Sequence, residues 1–357
     1  MSKEYNIAVI KGDGIGIEVV DESLKLLNHV QNKTNMKFNF QEFPWGSEYY
    51  FVHGEMMPEN GEKELSDFNA IFLGAVGHPK IQDHVSLNGL LLPIRRYFDQ
   101  YICHRPSFLY EGVNSPLVNK SPGSIDIIVV RENTEGEYAN VGGFQYLDFP
   151  EEIGIQTGVF TRKGCERVIK YSFELARHHR KKKHVTSITK SNAQGYGMVV
   201  WDRAFDRISK EYPDINTTSL LIDAAAMDFI RKPEMFDIVV ASNLFGDILT
   251  DIGAIITGSM GLASSANLDP EKRYPSMFEP VHGSAPDIMG KGIANPMAQI
   301  FTGAMMLKHL GHETAANDIE LAVQYILKEG TILTPDLEGT SSTETVGNAV
   351  VNALAKS

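Results

Sequence analysis

The sequence predicts an α/β protein whose largely parallel sheet is covered by helices, and three observations carry that reading. Short apolar runs of strand length alternate along the chain with longer segments of helical apolar spacing, as parallel βαβ units require. No repeat of about 20–50 residues and no low-complexity tract interrupts the alternation. A chain of 357 residues, 43% of them hydrophobic, can also bury enough surface for two domains.

Taken in order, Asn6-Ile-Ala-Val-Ile10 reads as a strand and Ile17 to Gln31 as a helix, followed by a strand at Ala70-Ile-Phe-Leu73 and a helix from Leu91 to Tyr101. Ile125-Asp-Ile-Ile-Val-Val130 reads as the next strand, while Thr161 to Arg177 and Ala193 to Tyr212 are helical by their apolar spacing. Val185-Thr-Ser-Ile188 and Ile238-Val-Val-Ala241 are further strand-like runs. No Pro/Gly/Ser-rich linker marks a simple cut between domains.

A formal net charge of −12 argues against nucleic acid as a partner, because Lys and Arg neutralising phosphates supply most of that binding energy. The basic run His178-His-Arg-Lys-Lys-Lys-His184 follows an amphipathic helical pattern, so it reads as a solvated turn whose cations oppose the helix dipole. Apolar runs fall far short of the ~20 residues that span a bilayer, and the N-terminus lacks a basic-then-apolar signal pattern. A cytoplasmic enzyme with no membrane partner is expected. The two cysteines, Cys103 and Cys165, are too few for a disulfide scaffold and read as packing residues.

The chemistry is concentrated in a few phrases. In Asn243-Leu-Phe-Gly-Asp247-Ile-Leu-Thr-Asp251, a helix starting after the strand places Asp247 and Asp251 on one face, ~5–6 Å apart at Cβ. Their repulsion, on the order of 4 kcal/mol at an effective dielectric of about 20, suggests a divalent cation held by oxygen ligands, of the kind Mg²⁺ or Mn²⁺ prefers. Two solvated aspartates at a helix start are the plain alternative. Gly12-Asp-Gly-Ile-Gly16 imitates a dinucleotide fingerprint. The full motif needs glycine where Ile17 stands and an acidic residue ending a second strand, so a classical Rossmann site is not expected. The segment from Glu279 to Pro296 is too rich in glycine, proline and small residues for a buried element, and reads as an ordered ligand loop.

These phrases, with Val130-Arg131-Glu-Asn-Thr-Glu-Gly-Glu-Tyr138 and Thr189-Lys190-Ser-Asn192, resemble the isocitrate and 3-isopropylmalate dehydrogenase family. The likeness runs from about Ile7 to the C-terminus with the motifs in the same order, and it leans toward the tartrate/D-malate dehydrogenase (decarboxylating) branch. The resemblance implies that family's two-domain fold: a large cofactor-binding domain from residues 1–100 and 258–357, and a small domain from 101–257 carrying the dimer interface. It also places the opening loop near nicotinamide and substrate. Relatives often carry proline where this chain has Ile17.

The resemblance further implies NAD and Mg²⁺ or Mn²⁺ as cofactors, with a monovalent cation such as K⁺ a further candidate. The cofactor would lie along His282, Gly283, Ser284, Ala285, Asp287, Ile288 and Asn295. Asp287 bears on the choice of nucleotide: a carboxylate accepts both ribose hydroxyls of NAD but would repel the 2′-phosphate of NADP. NADP-using relatives tend to put lysine and tyrosine at the places of Asp287 and Ile288. Arg95, Arg105 and Arg131 match contacts to the carboxylate that leaves as carbon dioxide, which suits a guanidinium fork. Arg96 reads as a surface or ion-pairing residue.

Tyr138 and Lys190 match the proton-transfer pair. An ordinary lysine cannot act as a base near pH 7, so the role requires burial and a neighbouring cation. In the resembling family, Lys190 and Asp223 reach in from a partner subunit, so the metal set Asp223, Asp247 and Asp251 and the whole site would be complete only in a homodimer. The implied reaction is oxidative decarboxylation of a small 2-hydroxy diacid. Its C3 substituent would face His84 to Pro93, where Ser86 and Asn88 offer hydrogen bonds and Leu90, Leu91 and Leu92 could line an apolar pocket. The branch usually has tryptophan at the place of Asn88. D-malate or tartrate ranks first, 3-isopropylmalate second and isocitrate third. A non-catalytic regulatory subunit is the alternative from another class, and it conflicts with the presence of Tyr138, Lys190, Asp223, Asp247 and Asp251.

Overall fold

The computed structural model describes residues 3–180 and 182–356. Twelve strands are found among them: β1 (Lys3–Gly12), β2 (Met36–Glu42), β3 (Ala70–Ala75), β4 (Ile102–Phe108), β5 (Asp126–Glu132), β6 (Gly136–Gln145), β7 (Ile153–Val159), β8 (His184–Thr189), β9 (Asn216–Leu221), β10 (Ile238–Ala241), β11 (Ser264–Leu268) and β12 (Ser276–Pro280). The chain folds as two compact units. The first takes the N-terminal part up to Gln100, then Arg105–Ile125, then everything from Ala254 onward; the second takes Tyr101–His104 and Asp126–Gly253.

In the first unit the strands run in the order β2-β1-β3-β12-β11. β1 is parallel to β2 and β3, β12 is parallel to β3, and β11 runs antiparallel to β12. All six residues of β3 are buried, as expected of a parallel strand covered on both faces. The alternation of strand side chains sorts the core into two layers. Ile7, Val9 and Phe72 pack on one side with Leu26, Leu27, Ile300, Leu307 and Val323. Ala8, Ile10, Ile71 and Leu73 pack on the other with Trp45, Leu90, Ile94 and Phe98.

The sequence places a helix at Leu91–Tyr101, but the helical stretch begins earlier and ends sooner. Helical turns run Asp83–Ser86, a π-turn spans Leu87–Leu91, and the last helix covers Leu92–Tyr97. Asp99 adopts φ +44°, which no helix continues. The stretch Arg105–Ile125, assigned by resemblance to the small domain, packs within the first unit. Tyr110 stacks on Phe301 with ring centroids 5.2 Å apart, and Ser115 Oγ donates to the Ile256 carbonyl at 2.6 Å.

In the second unit β5-β10-β8-β9 are all parallel, and β6 and β7 form a separate antiparallel ribbon. Thr161 caps the helix Arg162–His179, its side chain accepting from the Gly164 N–H at 2.9 Å. The basic run beyond that helix is tied down rather than simply solvated. Arg180 bridges Asp126 (2.8 Å) and Asp237 (2.6 Å), and Lys182 Nζ donates to the carbonyls of Glu234 and Phe236, each at 2.9 Å. Lys181 lies outside the described residues. Cys103 and Cys165 are buried thiols, with burial pushing the Cys165 thiol up to about 12. Among the described residues, no helix is long and apolar enough to cross a membrane.

Candidate active site

Three of the predicted residues meet in the second unit, at the ends of parallel strands where open α/β sheets place their ligands. β5 delivers Arg131, buried to 3% exposure. β10 leads into the helix Asn243–Ile256, and β6 brings Tyr138 alongside. Arg131 Nη1 pairs with Asp247, the Tyr138 hydroxyl donates to Asp247 Oδ2 at 3.2 Å, and the Arg131 guanidinium lies 5.3 Å from the centre of the Tyr138 ring. Burial, then the nearby Asp247 charge, raises the Tyr138 hydroxyl above its ordinary range. That keeps the proton on oxygen, as a proton donor needs.

Lys190 follows β8 and Asp223 opens the helix Ile222–Arg231. Lys190 Nζ lies 2.9 Å from Asp223 Oδ1, and this contact holds the Asp223 carboxyl below the usual carboxylate range. Asp247 and Asp251 sit one turn apart on their helix, with Asp251 exposed. Among the described residues of one chain, no group of three or more acidic, His or Cys side chains stands close enough to hold a metal. A single chain therefore does not join Asp223 to Asp247 and Asp251. The donor chemistry still suits a hard divalent cation, since every candidate ligand is a carboxylate.

In the first unit, buried Arg95 pairs with Glu279, which also accepts from Asn267 Nδ2 at 2.8 Å. Arg105 Nε donates to Ser265 Oγ at 3.3 Å. Ser86 is buried and its hydroxyl has no partner among the described residues. Asn88 donates its amide to the His84 carbonyl at 2.8 Å, which leaves its Oδ1 unsatisfied. Leu90 and Leu91 are spent on the core layer that holds Ile94 and Phe98, and Leu92 is buried as well.

The expected cofactor loop and the opening loop are built against each other. Ile15 N donates to the Ser284 carbonyl at 2.8 Å. A Cβ on Gly14, at φ +58°, would stand 2.0 Å from that same oxygen, so this backbone contact leaves no room for a side chain. Gly283, Ser284 and Ala285 line a groove of 600 Å³ with Val76, Gly77, His78 and Asp83. His282 donates from Nδ1 to the Gly283 carbonyl, 3.0 Å away, while its Nε2 is enclosed without a partner among the described residues. Burial lowers the His282 pKa below its ordinary value. Asp287 is exposed. Ile288, expected at the cofactor, packs beside Ile15, Val19 and Ala294. Asn295 Nδ2 donates to Asp336 at 3.0 Å and its Oδ1 accepts from Met297 N at 3.0 Å. An enclosed unpaired ring nitrogen and an exposed carboxylate fit the adenosine end of NAD.

Several contributors went unread in the sequence. Val76 to Asp83 forms one wall of the groove; a glycine-containing loop directly after the strand Ala70–Ala75 was the signal for it. Asp13 is buried and accepts from Ser47 N and Ser47 Oγ at 2.7 Å each and from Gly77 N at 2.8 Å. Glu137 accepts from Ser242 Oγ at 2.9 Å and Leu244 N at 3.2 Å, placing a carboxylate at the start of the Asp247 helix.

A parallel α/β scaffold with a tyrosine, a buried arginine and a carboxylate gathered at its strand ends, and a glycine-rich groove in its other unit, defines a class of ligand-binding enzyme. Residues 6–350 match the family described as isocitrate/isopropylmalate dehydrogenase. The chain belongs to that family. It is 48% identical over 356 residues to a probable tartrate dehydrogenase/decarboxylase TtuC' of Agrobacterium vitis, covering 99% of each chain. To the D-malate dehydrogenase [decarboxylating] of Escherichia coli (strain K12) it is 47% identical over 363 residues, covering 100% of each. A crystal structure of isocitrate dehydrogenase from Methylococcus capsulatus superimposes with a TM-score of 0.88 at 35% identity, covering 98% of this chain and 99% of that one.

Proposed function

We propose that the chain catalyses the NAD- and divalent-metal-dependent oxidative decarboxylation of a small 2-hydroxy diacid, D-malate or tartrate. The observation that carries this is the contact of Arg131 and Tyr138 with Asp247, in a chain similar over its full length to decarboxylating tartrate and D-malate dehydrogenases. When bound, NAD would accept hydride, and a divalent cation held by Asp247, Asp251 and the Asp223 carboxylate of a second copy would supply stabilisation of developing negative charge. Arg131 binds the carboxylate that departs, the role that the family likeness also gives to Arg95 and Arg105. Lys190 takes the C2 hydroxyl proton, and Tyr138 returns a proton to C3 after carbon dioxide leaves.

The choice among diacids rests on the segment His84–Pro93. Leu90 and Leu91 are committed to the core, so they are poorly placed to receive an isopropyl group. The unsatisfied Ser86 hydroxyl and Asn88 oxygen suit a small or hydroxylated C3 instead. This favours D-malate and tartrate over 3-isopropylmalate.

Asp223 and Lys190 serve the neighbouring subunit of a homodimer. In support, the helix carrying Asp223 exposes Met227 and Ile230, and the helix carrying Asp247 exposes Ile248. The β6–β7 ribbon leaves Phe144 at 68% and its connection leaves Phe149 at 65% exposure, apolar surface that a second copy would cover. The test is NAD reduction with Mn²⁺ across D-malate, tartrate, 3-isopropylmalate and isocitrate. D-malate or tartrate should give the highest kcat/KM; a clear preference for 3-isopropylmalate or isocitrate would overturn the assignment.

A further inference from the structure

We infer that Asn243 is the positioning residue for Arg131, fixing which edge of its guanidinium is offered to the substrate. The inference rests on the reading of Arg131 as a carboxylate anchor. Asn243 is fully buried and Arg131 nearly so. Arg131 donates to Asn243 Oδ1 from both Nε (3.0 Å) and Nη2 (2.6 Å). The amide cannot be turned around: its Nδ2 lies 3.2 Å from the Glu135 carbonyl, a pure acceptor, so the oxygen must face the guanidinium.

The neighbouring helix residue adapts to the same contact. A Cβ on Gly246 would stand 2.6 Å from Arg131 Cβ and 2.8 Å from Cγ, so the helix leaves out a side chain where the arginine stem passes. Asn243, Gly246 and Asp247 thus occupy three sides of one arginine. With its Nε–Nη2 edge taken by a neutral oxygen and Nη1 at Asp247, the guanidinium meets a carboxylate with its Nη1–Nη2 end. Arginine binds carboxylates well only in a few planar geometries. An uncharged acceptor fixes that plane without cancelling the charge that attracts the substrate. Tyr138, whose ring lies beside this guanidinium, is kept in register by the same contact.

The test is a mutant cycle read as KM for D-malate, KM for NAD, and melting temperature. Asn243→Ala should raise KM for D-malate roughly tenfold to a hundredfold, the scale of losing hydrogen bonds to a charged group, with KM for NAD within about twofold. Asn243→Asp, which keeps an oxygen acceptor but adds a charge that competes with the substrate carboxylate and sets its second oxygen against the Glu135 carbonyl, should not recover the loss. In an Arg131→Ala background, Asn243→Ala should add almost nothing, because residues acting through one another are not additive. If the alanine variant does not accumulate, Asn243→Ser, which draws the oxygen back from Arg131, takes its place in the cycle. An effect that adds in full to that of Arg131→Ala, or raises both KM values together, would overturn the positioning role. If Arg131→Ala itself leaves KM for D-malate unchanged, the anchoring role of Arg131 has failed instead.

Discussion

At the scale of single residues, the acceptor and donor inventory of each side chain sets what it can do, and Asp287 is the clearest case. Its exposed carboxylate can take two ribose hydroxyls but repels a phosphate. Asp287→Lys should therefore shift kcat/KM from NAD toward NADP by tenfold or more, on the order of 1.4 kcal/mol or above. A wild type already faster with NADP would contradict this. Adding Ile288→Tyr carries a cost that the sequence did not announce, because Ile288 packs beside Ile15 and Val19. Glu132 makes a second prediction. Burial pushes its carboxyl up to about 7, above its value in the unfolded chain. The folded protein thus holds a proton that the unfolded chain releases first, and stability falls as pH rises from about 4.5 to about 7. Glu132→Gln should flatten that part of a denaturant-midpoint against pH curve; an unchanged slope would place the titration elsewhere. Arg131, Tyr138 and Asp247 were legible in the sequence because each belongs to a recognisable phrase. The seat of Arg131 was not, since Asn243 lies 112 positions away and only folding makes the pair.

At the scale of elements, fully buried strands were the easiest to read and the irregular ones the hardest. β10 is four buried apolar residues and stands where its composition put it, at Ile238–Ala241. The β6–β7 ribbon was invisible, because its apolar side chains are exposed on a glycine-containing hairpin and give no one-sided alternation. The π-turn Leu87–Leu91 changes the helical period and so hid the true start of its helix. Asp13 shows an element-scale device that spacing cannot reveal: one buried carboxylate joins the opening loop to Ser47 and to Gly77 in the groove wall. Asp13→Ala would leave buried donors unpaired and should destabilise the protein by about 2–4 kcal/mol, with KM for NAD rising as Gly77 loses its anchor. Denaturant titration with NAD kinetics checks both; a stable variant with unchanged KM would reduce Asp13 to a bystander.

At the scale of the whole molecule, the family likeness gave the discontinuous chain path, while packing alone decides where Arg105–Ile125 belongs, through contacts such as Tyr110 on Phe301. The proposed active site is shared between two subunits. Lys190 and Asp223 pair with each other in one chain, and in the proposed homodimer they serve the Asp247 and Asp251 helix of the next. The most direct test mixes two inactive proteins, Lys190→Ala and Asp247→Asn, under conditions that exchange subunits. In a mixed dimer one site collects both lesions and the other collects neither. Random exchange makes half the dimers mixed, so about a quarter of the wild-type activity per site should return by the two-fold symmetry of the pair. No recovery despite demonstrated exchange would place Lys190 and Asp247 in the same subunit's site and contradict the account.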